Sequence, residues 1–223
     1  PDWTQLAGVY GAPTLNLTES VSGGSNIVIV GAAGAGKTVA LARLASLAAN
    51  LKVRIDPKSE EEAVPYLYHV ADLAFPLDST KDPLSVLTNA VTELAPIFDV
   101  SRLPGFIQQT FQSGRALLLI DGFDELDTEN QKNVTAWFKA LIHAHPKARI
   151  ATTGCAHQLN GLIGLGFNPL ALIAWDEKAE TKFIQQWGER WSQTIALESR
   201  AQAVPEPVDS LLLNAWVTTD NHG

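Results

Sequence analysis

The chain lacks the features of a secreted, membrane-spanning or nucleic-acid-coating protein. Cys155 is its only cysteine among 223 residues, which excludes an internal disulfide and predicts a reducing compartment, the cytoplasm. No apolar run reaches the roughly 18 residues that a membrane-spanning helix needs, and there is no signal-peptide pattern. The formal net charge of −8, without a local cluster of Lys or Arg, argues against non-specific nucleic-acid binding.

Methionine is also absent, and the chain begins with Pro1. We therefore expect a segment of a longer protein with neighbouring domains. The residues present, 46% of them hydrophobic, suffice for one full α/β domain and part of another.

The most informative feature that is present is a glycine-rich stretch matching G-x-x-x-x-G-K-[ST]. It reads Gly31-Ala32-Ala33-Gly34-Ala35-Gly36-Lys37-Thr38. An apolar run at 26–30 precedes it and an alanine-rich helical run at 39–49 follows, which is the strand–loop–helix context of a P-loop. Glycines let backbone N–H groups surround phosphates, and the helix N-terminus favours an anion. We predict nucleotide contacts from Gly31 through Val39, with Lys37 on the β- and γ-phosphates and Thr38 on Mg²⁺.

Apolar runs alternate with helical patterns along the rest of the chain. The predicted strands cover residues 26–30, 65–71, 116–120, 149–153 and 170–174. Strands separated by helices predict an α/β fold with a doubly wound, five-stranded parallel sheet.

Three regions are predicted from this pattern. Residues 1–24 form a lead-in, residues 25–175 form the nucleotide-binding domain, and residues 176–223 begin a helical subdomain. Asp176 is expected to cap the first helix of that subdomain. Its apolar stripe, expected to be buried, is Ala179, Phe183, Ile184, Trp187, Trp191 and Ile195. A second short helix is expected over residues 208–217.

Asp121 follows a strand without polar residues, at the end where ligands of open α/β sheets bind. An apolar strand ending in Asp is the Walker B arrangement, in which the carboxylate holds Mg²⁺ opposite Thr38. In many ATPases a catalytic Glu comes next, whereas here Gly122 follows and further acids come at Asp124 and Glu125. The upstream P-loop favours a metal site over a simple turn with solvated acids.

The stretch Ile120-Asp121-Gly122-Phe123-Asp124-Glu125-Leu126 resembles the extended Walker B motif of the NACHT family. These are signal-transducing ATPases of the STAND class, distantly related to AAA+ enzymes. The resemblance extends from about residue 25 to about residue 191. It implies a P-loop NTPase fold that binds ATP or ADP with Mg²⁺, with Lys37 as one catalytic residue and Asp124 as the catalytic acid. Glu125 remains the alternative acid.

One position departs from the family pattern. NACHT proteins commonly end the strand after Walker B with a polar pair and an Arg that contacts the γ-phosphate. Thr152 and Thr153 occupy the polar positions and are predicted to contact phosphate or the attacking water, but Gly154 replaces the Arg. Loss of this charge-assisted contact predicts slow hydrolysis.

The resemblance implies a switch module whose ATP and ADP forms favour different domain arrangements. Its expected partners are the nucleotide, effector and sensor domains of a longer chain, and further copies of itself in one nucleotide state. Two alternatives remain. An AAA+-type turnover ATPase is disfavoured because Gly122 stands where Glu is expected, and a nucleotide-holding scaffold that never hydrolyses stays open because of Gly154.

Overall fold

The structure is a computed structural model that describes residues 13–197, except 57, 59, 76, 78–81, 93–94, 158 and 174. The chain divides into two units, Pro1–Leu172 and Ile173–Gly223. The domain limits predicted at residues 24/25 and 175/176 stay predictions, and the helix predicted over 208–217 lies outside the described residues.

A five-stranded, all-parallel sheet forms the centre of the first unit. Its strands are β1 (Ile27–Val30), β2 (Val64–His69), β3 (Ala116–Asp121), β4 (Arg149–Gly154) and β5 (Asn168–Ala171), in the order β2-β3-β4-β1-β5. The predicted parallel five-stranded fold is therefore confirmed. The last strand begins two residues before its predicted start because pairing with β1 sets its register, with Asn168 opposite Ile27.

Helices connect these strands and cover both faces of the sheet. In chain order they are α1 (Leu17–Ser22), α2 (Lys37–Ala49), α3 (Leu84–Thr92), α4 (Leu103–Ser113), α5 (Thr128–Ala144) and α6 (Asn160–Gly164). Side chains of β3 alternate between two cores, because successive residues of a strand point to opposite faces. Leu117 and Leu119 join the core that contains α2, whereas Leu118 and Ile120 join the core that contains α3, α4 and α5.

His145 directly follows α5, and its position against this second core is expected to make stability depend on pH. Its ring meets Phe111 edge-on, with 5.5 Å between the ring centroids. Burial lowers the pKa of His145, and this outweighs the opposing influence of Asp82. A pKa lower in the folded than in the unfolded state means that the unfolded chain takes up the proton more readily. The free energy of unfolding should therefore fall as the pH drops below about 6.5.

We expect His145→Gln to reduce the slope of the free energy of unfolding against pH between about pH 7 and 5, since the group that titrates there is removed. Urea unfolding at a series of pH values measures that slope. His143→Gln, at an exposed position of α5, controls for the change in net charge. An unchanged slope in the His145 variant would contradict the assignment.

The second unit contains α7 (Glu177–Leu197). Asp176 caps it as predicted, since the Asp176 Oδ1 accepts a hydrogen bond of 2.7 Å from the backbone N–H of Ala179. The predicted burial of the apolar stripe is largely wrong: Ile184 is buried, but Ala179, Phe183, Trp187 and Trp191 are exposed. The rings of Trp187 and Trp191 instead stack on each other along the helix, with 5.1 Å between their centroids. The side chain of Ile195 lies outside the described residues.

None of the described helices is both long and apolar enough to span a membrane.

Candidate nucleotide-binding site

The P-loop joins β1 to α2 at the carboxyl edge of the sheet. Gly34 and Gly36 have φ values of +77° and +90°, a left-handed conformation that glycine adopts without strain. A Cβ at Gly31 would lie 3.0 Å from the Cβ of Ala35, a tight contact that the neighbouring residue could relieve only by shifting a few tenths of an ångström. The loop therefore leads directly into the N-terminus of α2, where the helix dipole and backbone N–H groups favour a phosphate.

Lys37, the first residue of α2, links the P-loop to the acidic turn after β3. Its Nζ donates hydrogen bonds to the carbonyl oxygens of Gly31 and Ala32 at 2.9 and 3.0 Å. The same Nζ lies 3.2 Å from Oδ2 of Asp124, and both side chains are largely buried. The structure thus brings together the predicted phosphate-binding lysine and the predicted catalytic acid.

The acidic turn begins where β3 ends, at the buried Asp121. Gly122 has a φ of +83°, and a Cβ at this position would lie 2.6 Å from Nε2 of His69. A short 3₁₀ turn, Phe123–Glu125, follows. Phe123 is buried against Phe138, with ring centroids 6.5 Å apart. Burial of this ring anchors the turn, in which the side chain of Asp124 is largely buried and that of Glu125 is exposed.

The two threonines at the end of β4 use their hydroxyl groups differently. The Thr153 Oγ1 accepts a hydrogen bond of 2.9 Å from the backbone N–H of Gly122, which fixes the start of the acidic turn. Thr153 keeps its own hydroxyl proton as a donor. The Thr152 hydroxyl donates to the carbonyl oxygen of Ile120 at 2.8 Å. Both side chains are fully buried, and phosphate contact by either stays a prediction.

Gly154, which stands in place of the expected Arg, occupies a closed position. It is the last residue of β4 and lies opposite Val30 of β1. A Cβ there would lie 2.8 Å from Cγ2 of Val28 and 3.1 Å from Cδ2 of Leu159. The packing of β1 and of the segment before α6 therefore leaves no room for any side chain.

His69 is a residue of this site that sequence reasoning missed. It ends β2, and its Cα lies opposite that of Asp121 in the β2–β3 pairing. Its Nδ1 accepts a hydrogen bond of 3.1 Å from the backbone N–H of Ala71, and its Nε2 lies 3.5 Å from Oε2 of Glu125. The sequence signal is a His at the end of a predicted strand, but nothing in the pattern says that this strand pairs with β3.

The oxygen donors predicted for Mg²⁺ are of the right chemical type. Thr38 lies exposed at the second position of α2, Val39 follows it and is also exposed, and Asp121 ends β3. Among the described residues, no three or more His, Cys, Asp or Glu side chains gather as a metal cluster. A Mg²⁺ here would therefore take its remaining ligands from phosphates and water, which is usual for this ion.

This parallel sheet, with its P-loop and an acid at the end of a buried strand, defines a P-loop NTPase fold. The family model described as the NACHT domain matches residues 25–159, more than half of the chain. The chain therefore belongs to the NACHT family. Its sequence matches none of the curated proteins with which it was compared.

The solved structures that are similar to this chain include the following two. One is described as a DNA replication initiation factor; the similarity covers 98% of this chain and 62% of that one, at 16% identity and a TM-score of 0.46. The other is the Aeropyrum pernix ORC1 protein in complex with DNA; the similarity covers 78% of this chain and 47% of that one, at 15% identity and a TM-score of 0.44. The chain thus spans less than two thirds of either protein.

Proposed function

We propose that this nucleotide-binding NTPase module is an ATP/ADP switch of a signal-transducing protein and that it hydrolyses ATP slowly. The observation that carries the proposal is the 3.2 Å contact between Lys37 of the P-loop and Asp124 of the acidic turn. It supports a site in which a cation for the phosphates and an acid for the attacking water are neighbours.

When nucleotide binds, Lys37 would release the carbonyl oxygens that it contacts and donate hydrogen bonds to the β- and γ-phosphates at the N-terminus of α2. Mg²⁺ would be held by the Thr38 hydroxyl and the Asp121 carboxylate, and it would neutralise charge on the phosphates. Asp124 would orient the attacking water and accept its proton, because it lies beside the lysine that contacts the γ-phosphate. Thr153, through the Gly122 N–H, would keep the acidic turn in place.

Slow hydrolysis follows from the closed position of Gly154. An arginine on the γ-phosphate contributes about 10³- to 10⁵-fold to the rate in P-loop enzymes that have one. The packing of Val28 against Gly154 also favours a second candidate, a scaffold that holds nucleotide without turnover. A steady-state rate above roughly 1 per second would instead favour an AAA+-type ATPase, since that is the range of ordinary enzymes.

The wider parts of the proposal concern the protein around this module. We propose that the module is part of a longer chain with effector and sensor domains, that it forms a homo-oligomer in one nucleotide state, and that the protein is cytoplasmic. The domain limits at residues 24/25 and 175/176 belong to the same proposal.

Calorimetric titration with ATP and with ADP, each with and without Mg²⁺, tests nucleotide binding. Lys37→Ala should weaken ATP binding by on the order of 10- to 100-fold, because hydrogen bonds to a charged group are lost. Lys52→Ala, at an exposed position beyond α2, is the matched control and should bind as the wild type does. Failure of the wild type to bind either nucleotide, or wild-type affinity in the Lys37 variant, would refute the proposal.

A further inference from the structure

We propose that His69 and Glu125 are positioning residues that orient Asp124 toward the P-loop. This assignment rests on the proposed ATP hydrolysis and takes Asp124, rather than Glu125, as the acid that serves it. The geometric basis is that the two carboxylates of the acidic turn contact different partners: Asp124 contacts Lys37 and Glu125 contacts His69.

The strand register brings His69 to the same edge and face as the metal-site acid. His69 lies opposite Asp121 where β2 and β3 end together. Tyr66 and Tyr68 point into the core with α3, α4 and α5, so alternation along β2 puts His69 on the other face, that of α2. Asp121 lies on this face too, since it alternates with Ile120.

Hydrogen bonding fixes the ring and its tautomer. The Nδ1 of His69 accepts the backbone N–H of Ala71 at 3.1 Å, so Nδ1 carries no proton and a neutral ring is protonated at Nε2. Oδ2 of Asp72 accepts the backbone N–H of His69 at 3.1 Å and holds the same turn. The protonated Nε2 lies 3.5 Å from Oε2 of Glu125, which is an electrostatic contact at the long end of hydrogen-bond distance.

The ring also occupies the space beside Gly122. A Cβ on Gly122 would lie 2.6 Å from Nε2 and 2.8 Å from Cε1 of His69. The other side of Gly122 is held by Thr153 through the backbone N–H. The acidic turn is therefore held between β2 and β4, with Glu125 drawn toward His69 and Asp124 left to face Lys37.

This contact is suited to orientation rather than to stability. The side chains of His69 and Glu125 are 37% and 67% exposed, and exposed pairs contribute little to folding. Removing the pair should therefore change the rate of hydrolysis more than it changes the stability or the affinity for ATP.

Two substitutions of His69 distinguish the role of Nε2 from that of Nδ1. His69→Gln places an amide N–H near the position of Nε2, and His69→Asn places an amide oxygen near that of Nδ1. In single-turnover hydrolysis of bound ATP, we expect the Gln variant to stay within about threefold of wild type and the Asn variant to fall at least tenfold, on the scale that small misplacements cost. ATP affinity should stay within about twofold in both, because His69 is assigned no phosphate contact.

The single-turnover rate of Glu125→Ala should match that of His69→Asn. The rate of the double variant should fall no further than that of either single variant, because the two residues act as a unit. Leu67→Ala, two residues earlier on β2 and exposed, is the matched control with wild-type turnover. Nitrogen NMR of the His69 ring should show Nε2 protonated in wild type, and the thermal midpoint of His69→Asn should be near that of wild type.

Any of the following results would overturn the assignment: wild-type turnover in His69→Asn, a larger loss in His69→Gln than in His69→Asn, additive losses in the double variant, or a ring protonated at Nδ1. A wild type that binds ATP without turning it over would overturn the positioning role and leave the binding module standing. A wild type that binds no nucleotide would refute the proposed function itself.

Discussion

Asp124→Asn is expected to stop ATP hydrolysis while leaving ATP bound. The amide keeps the shape of the side chain and can still accept a hydrogen bond from Lys37, but it cannot take a proton from water. General acid–base groups contribute about 10²- to 10⁴-fold, so the single-turnover rate should fall by at least 10²-fold. Affinity for ATP, measured by calorimetry, should stay close to that of the wild type.

Asp127→Asn is the matched control for this experiment. Asp127 caps α5, with its Oδ1 accepting the backbone N–H of Asn130 at 2.8 Å, and Asn is an equally good N-cap. It should therefore leave stability and turnover unchanged. If Asp124→Asn keeps a rate within tenfold of wild type while Glu125→Gln abolishes turnover, Glu125 is the catalytic acid. If the module is the proposed switch, Asp124→Asn should hold it in its ATP form, whereas the alternative scaffold should be unaffected by this change.

Gly154→Arg, which restores the residue common in the family, is expected to destabilise the fold rather than to speed hydrolysis. The Cβ alone would lie 2.8 Å from Cγ2 of Val28, a fully buried side chain. Overpacking costs about 1–3 kcal/mol, and a charge forced into a buried site adds to it, so we expect a loss above ~3 kcal/mol. Urea unfolding monitored by tryptophan fluorescence measures the loss.

Two alanine variants complete this experiment. Gly154→Ala should cost about 1–3 kcal/mol through the same contact with Val28. Gly105→Ala, within α4, meets no atom within 4 Å and should leave stability equal or raise it by about 0.5–1 kcal/mol. A Gly154→Arg protein with wild-type stability and faster hydrolysis would show that β4 can open at this end and that the packing explanation is wrong.

The sequence was sufficient for those parts of the site that are contiguous in the chain. The P-loop and the acids after β3 are short motifs whose chemistry depends on spacing, and alternation of apolar runs predicted the parallel sheet. The strand order is set by pairing between distant segments, which no local pattern encodes. The neighbours of Asp121 and Gly122, His69 on one side and Thr153 on the other, could therefore be found only from the structure.

Two further features could not be predicted from the sequence, again because they depend on contacts between distant parts of the chain. The sequence showed that Gly154 replaces an Arg, but the reason, the side chain of Val28 beside it, lies on another strand. Helical periodicity correctly grouped Phe183, Trp187 and Trp191 on α7 but wrongly predicted their burial. Periodicity shows which residues share a face of a helix, whereas burial depends on what covers that face.

The pairing of β1 with β5 connects the P-loop to the end of the first unit. Val30 immediately precedes Gly31, and its carbonyl oxygen accepts the backbone N–H of Leu172 at 3.4 Å. Leu172 is the last residue of that unit. The residue directly before the phosphate-binding loop and the last residue of the first unit are thus linked by a hydrogen bond at the ends of neighbouring strands.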